Sequence, residues 1–155
     1  MNARTIVLTL VTCFVGLTLC FAEDANFMGT WKLNEAKSKI GPGASKNTSV
    51  VYEAAGDNVK ITVDGIDPEG KSTHTEWTGK FDSKDYPVTG DPNSDARSYK
   101  KIDDTTLEFT VKKGAKVTTT GRVVVSADGK TRTVTASGTN PKGKKFSSTA
   151  VYDKQ

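Results

Sequence analysis

From Thr30 to Tyr152 the chain runs in short segments where apolar and polar residues alternate, and turn residues separate the segments. Trp31 and Leu33 share one phase of residues 30–33, and Val59, Ile61 and Val63 share one phase of 59–64. Trp77, Gly79 and Phe81 align in 72–81, as do Leu107, Phe109 and Val111 in 106–112. A period of two marks a strand with one buried face. Residues 49–54, 97–102, 116–126, 131–138 and 144–152 complete the predicted strands. Asn34 and Glu35 predict one capped helical turn through Lys39, ended by Gly41-Pro42-Gly43. Asp128-Gly129 is the strongest hairpin signal, and Asp67-Pro68-Glu69-Gly70 and Asn140-Pro141-Lys142-Gly143 are further turns. Residues 82–95 show no alternation and read as the longest loop.

Short turns make neighbouring strands antiparallel, so the pattern predicts an all-β, up-and-down meander of 9–10 strands. Closing that meander into a small barrel removes its exposed edges. Such a barrel presents about 35–40 inward positions by simple alternation. Residues 23–155 hold only 39 apolar residues, some of them in turns. The interior must then be partly polar or partly empty. Composition agrees with the β assignment, since this stretch has 18 threonines and only Leu33 and Leu107 as leucines.

The beginning of the chain follows another pattern. Arg4 precedes an apolar run from Ile6 to Phe21, and Ala22 is followed by Glu23 and Asp24. This is the layout of a cleaved signal peptide over residues 1–22, leaving one domain over 23–155. The protein is thus expected to be exported, periplasmic or secreted. Cys13 and Cys20 both fall within the signal, so the expected mature chain has no disulfide, thiolate metal site or cysteine nucleophile. No transmembrane segment is expected in it, and a monomer is expected.

Removing Arg4 lowers the net charge from +4 to +3. Residues 112–145 nevertheless carry nine basic side chains against Asp128 alone. A field of that sign suits anionic envelope polymers or lipid headgroups, although lysines also keep turns soluble and blunt strand edges. Aromatic residues do not interleave with it, so no nucleic-acid partner is expected. His74 and Glu76 lie two apart on a predicted strand and share a face, the spacing of an acid–base pair. Trp77 and Phe81 take the other face, which leaves His74 toward solvent. No nucleophile elbow or phosphate loop is present, and neither an enzyme nor a cofactor is expected. Trp31, Tyr52, Trp77, Tyr99, Phe109 and Tyr152 fall on the apolar phase, as core filler or as the lining of a ligand pocket.

Phe27-Met28-Gly29-Thr30-Trp31-Lys32-Leu33 resembles the opening of the calycin superfamily, the lipocalins and cytosolic fatty-acid-binding proteins, with its Gly-x-Trp motif. Ser148-Thr149-Ala150-Val151-Tyr152 resembles the last strand of the fatty-acid-binding proteins. Lys84-Asp85-Tyr86-Pro87-Val88-Thr89-Gly90 is similar to small exported bacterial proteins described as lipocalin-like. The resemblance implies a barrel with its ligand inside, glycine bending the first strand and the indole plugging one end. Residues 34–48 are too short and glycine-rich for the helix pair that covers fatty-acid-binding proteins. Ala150 stands where those proteins carry the arginine of their carboxylate site. A small, partly apolar and neutral ligand is therefore expected, held by the hydroxyls of Tyr52, Tyr99 or Tyr152, with Arg97 the one inward arginine available to a carboxylate. The alternative is a structural or interaction protein of the cell envelope or exterior, with a solid core and a basic surface.

Overall fold

In the computed structural model, which describes residues 24–155, the alternating segments become eleven antiparallel strands of one sheet. They are β1 (Gly29–Leu33), β2 (Lys39–Ile40), β3 (Lys46–Ala55), β4 (Asn58–Ile66), β5 (Ser72–Gly79) and β6 (Tyr86–Thr89). β7 (Ala96–Lys101), β8 (Thr106–Lys113), β9 (Lys116–Val125), β10 (Thr131–Thr139) and β11 (Lys145–Lys154) complete the set. From β3 to β11 each strand pairs with the next in sequence, and β1 pairs with both β3 and β11. The ladder thereby closes into a barrel of ten staves. The signal reading and both cysteines fall on residues outside those described.

β2 is the eleventh strand and is not a stave of its own. After β1 the chain makes one 3₁₀ turn, Glu35–Lys37, where the Asn34 side chain accepts the Lys37 amide at 3.2 Å. It then resumes beside β11, with Ile40 opposite Ser148 and Lys39 opposite Thr149. Among the described pairings no ladder joins β2 to β3, so the wall is unzipped there.

Residues 82–95 are not one loop. Within them β6 pairs through Val88 with Trp77 and through Tyr86 with Arg97. Four residues interrupted by Pro87 are too few to display a period of two, which hid the strand.

The barrel has two unlike ends. At one, the Trp31 indole is fully buried and donates to the Phe27 carbonyl at 2.9 Å, and Phe27 is itself 1% exposed. Gly29 starts this strand at φ 101° with the Lys154 side chain against it, a conformation open to glycine and strained for any other residue. Lys101 ties the same end to Asp24 and Asp104 at 3.2 and 3.3 Å. Each fully buried aromatic or aliphatic chain here contributes about 1.5–3 kcal/mol. From this plug a column of rings climbs the interior. Phe27 meets Phe81 edge-on at 5.9 Å, Phe81 stacks on Trp77 at 6.3 Å, Trp77 meets Tyr99 at 4.9 Å, and Tyr99 reaches Phe109 at 5.9 Å.

The other end carries the loops that contain Pro42, Pro68, Pro92 and Pro141. Asp67, Asp91 and Asn140 each fold one of these loops by accepting backbone N–H groups with a side-chain oxygen. Lys142 and Glu69 form an ion pair at 2.6 Å that joins the β10–β11 loop to the β4–β5 loop. These loops flank the unzipped stretch between β2 and β3.

Candidate functional site

A cavity of about 220 Å³ occupies the proline-bearing end of the barrel. Its apolar wall includes Val63, Phe109, Val111, Val134, Phe146 and Ala150. Its polar wall includes Asn47, Thr73, Thr75, Arg97, Thr119 and Ser148, with Asp67 and Asp91 at the rim. The composition follows from alternation along strands poor in leucine and rich in threonine. Inward positions of β5 above Trp77 are Thr75 and Thr73, and those of β11 above Ala150 are Ser148 and Phe146. Too little apolar volume is available to fill this end, so space remains.

The six residues picked from the sequence divide. Phe109 and Tyr152 line the cavity. Tyr152 also donates its hydroxyl to the Asn47 carbonyl at 3.1 Å, which fixes the ring against the floor. Trp31, Tyr52, Trp77 and Tyr99 lie deeper, each at most 5% exposed, and pack the plugged half of the barrel. The Trp77 indole donates to the Arg97 carbonyl at 2.9 Å. Tyr52 and Tyr99 are not among the residues that line the cavity.

The interior holds a second arginine besides Arg97, one that the sequence reading did not place there. Arg132 is only 3% exposed and stands inside the barrel opposite Tyr152 and Val125. Its guanidinium lies 4.6 Å from the Tyr152 ring, 5.1 Å from Tyr52 and 5.2 Å from Trp31. Among the described residues no carboxylate pairs with it, and its Nε has no hydrogen-bond partner. Each ring offers about 2 kcal/mol of cation–π attraction in a dry site. An unpaired buried charge costs several kcal/mol, so the cage offsets that cost in part. Burial pushes the Tyr52 hydroxyl far above its ordinary range, with the Tyr99 neighbour adding and Arg132 opposing. Burial likewise raises the Tyr152 hydroxyl against the pull of Arg132. Both phenols remain neutral, and the cage supplies no anion.

Arg97, read from the sequence as inward, does line the cavity. Its Nη1 reaches the Tyr99 hydroxyl only at 3.5 Å, and its buried Nε is also without a partner. Arg132 escaped the sequence reading although one signal was present. Arg132, Val134 and Ala136 share a phase, and their neighbours are all Thr or Ser.

His74 projects outward. Its Nδ1 is 2.6 Å from Asp64 and its Nε2 is 4.0 Å from Glu76, on an exposed face. Glu76 is already paired with Lys60, which holds its carboxyl below the ordinary range. Glu76 is thus poorly suited to take up a proton. A wider concavity of about 430 Å³ also lies outside the barrel, across β8 to β11. It is a trough between rows of Thr and Ser whose one charged pair, Arg122–Glu108, is closed at 2.6 Å.

The basic segment is also altered by folding. Lys112 pairs with Asp85, Lys113 with Asp95, Arg122 with Glu108 and Lys142 with Glu69, while Arg132 is interior. Four of the nine basic side chains of residues 112–145 are thus met by acids from elsewhere in the chain, while Lys116, Lys130, Lys144 and Lys145 form no ion pair among the described residues.

No family model and no curated protein matches this chain. Among solved structures, it is similar to a redesigned β barrel, mFAP1, determined bound to DFHBI. That likeness has a TM-score of 0.44 and 14% identity, over 85% of this chain and 98% of the other.

Proposed function

We propose that this is an exported, non-enzymatic barrel that takes a small, partly apolar ligand into the cavity at its proline-bearing end. The observation that carries the reading is the cavity itself, with one wall of valine and phenylalanine and the other of threonine, serine, asparagine and Arg97. Pockets of this two-faced kind bury an apolar body while a few polar groups orient it. The rival reading, a solid barrel with a basic coat, is weakened by the space inside.

Calorimetric titration with small amphiphiles tests the proposal, using hexanamide, phenylacetamide and their acids as probes. A saturable, one-to-one heat is expected for at least one of them. Ser148→Phe, which fills the cavity from β11, should abolish it while leaving the far-UV spectrum unchanged. Absence of any saturable heat, or binding that survives Ser148→Phe, would count against the cavity. For export, N-terminal sequencing of the protein recovered from a bacterial host should read Glu23 first, and an intact Met1 would overturn that part.

A further inference from the structure

We infer that the ligand is a small organic carboxylate whose head group takes the Arg97 guanidinium, with Arg132 as a second positive charge beneath it. This narrows the ligand-binding reading above and rests on it. Arg97 is on the cavity wall with its Nε unpartnered. Arg132 lies one inward position below Val134 on β10, as Tyr152 lies one below Ala150 on β11. Val134, Ala150 and Tyr152 all line the cavity, so the caged guanidinium sits directly under its floor. Neither arginine has an ion pair among the described residues, and the inner wall is otherwise neutral. Two positive charges without an ion pair favour an occupant that carries a negative one. The guanidinium fork matches the two oxygens of a planar carboxylate.

The rim decides how much charge the ligand carries. Asp67 and Asp91 line the outer end of the cavity, each with an oxygen held by a loop amide, Lys71 and Asn93, at 2.8 Å. A second negative group on the ligand would meet them, which disfavours phosphate dianions and dicarboxylates. The space decides its size. About 220 Å³ lies below the ~300 Å³ at which pockets for drug-sized molecules begin. A body the size of a phenyl ring or a short alkyl chain fits the valine and phenylalanine wall.

The test is titration of the purified protein with phenylacetate against phenylacetamide, hexanoate against hexanamide, and phenyl phosphate. Each acid should bind at least tenfold tighter than its neutral isostere, about 1.4 kcal/mol. Phenyl phosphate should bind more weakly than phenylacetate. Arg97→Gln should bring acid and amide within threefold of each other. Arg132→Met, which replaces a buried charge by an apolar chain of similar length, should reduce the preference of the folded protein by several-fold. Equal affinity for acid and amide overturns the carboxylate, and a preference unchanged in Arg97→Gln overturns Arg97 as its partner; either leaves the cavity a binding site. Tighter binding of phenyl phosphate overturns the choice of carboxylate over phosphate. Failure of every probe, neutral ones included, removes the ligand-binding reading and this inference with it.

Discussion

Arg132 is the residue where sequence and structure part. Charged side chains are almost never fully buried without a partner, and this one lies in a segment dense with lysine and threonine. Composition therefore placed it outside, whereas its phase with Val134 placed it inside. The phase was the better guide, as it was for Arg97 inward, Arg122 outward and His74 outward. What no phase could supply was the depth of each aromatic residue, which separates Phe109 and Tyr152 at the cavity from Trp31 and Trp77 in the plug. Depth depends on which loops share an end of the barrel, and that is a property of register. The neighbours of Arg132 give a test in alkali. Tyr52 and Tyr152 have folded pKa values raised above the unfolded value of about 10. Below that pH both states are protonated and neither tyrosine affects stability. Above it the unfolded chain releases a proton that the folded one keeps, so stability falls at about 1.4 kcal/mol per pH unit for each group. The urea midpoint should drop between about pH 10 and 11.5, and less steeply in Tyr52→Phe. Parallel curves for the two proteins would mean that the Tyr52 hydroxyl is not protected.

Among the elements, the long strands were legible because each carries several apolar residues in one phase. β2 and β6 were not, having two and four residues with Pro87 inside the second. They are defined by their partners, β11 for β2 and both β5 and β7 for β6, and such pairing leaves no local mark. β9 shows another effect that sequence conceals. Gly121 lies between Phe109 on β8 and Ala136 on β10, and a Cβ there would collide with the Phe109 ring and the Thr135 carbonyl. The glycine lets the ring lie flat across the strand and places Phe109 at the cavity edge. Gly121→Ala should thus destabilise the fold by about 1–3 kcal/mol, the usual range for an overpacked site. It should also displace the ring. A urea midpoint equal to that of the parent would show that the wall gives way without strain.

On the scale of the whole molecule, closure by β1 against β11 makes a vessel with one stopped end, where Phe27 and Trp31 sit, and one end bordered by loops. The expectation of a closed meander with an incompletely filled interior followed from a count of apolar residues, because closure and volume are global quantities that composition constrains. The unzipped stretch beside β2 is not of that kind. It arises where the chain leaves β1 for a 3₁₀ turn that Glu35 pairs to Lys46 of β3, and the β10–β11 and β4–β5 loops bordering it are tied by the exposed pair of Lys142 and Glu69. An exposed pair of that sort is a weak tie and weakens further as salt rises. A tie so slight sets tempo and leaves affinity alone, since it opposes entry and departure equally. Stopped-flow traces with a bound carboxylate should show both rate constants rising by up to about fivefold in Glu69→Gln, with their ratio unchanged. Molar salt should bring the parent to the same speed. If only one rate constant moves, the pair touches the occupant as well as the doorway.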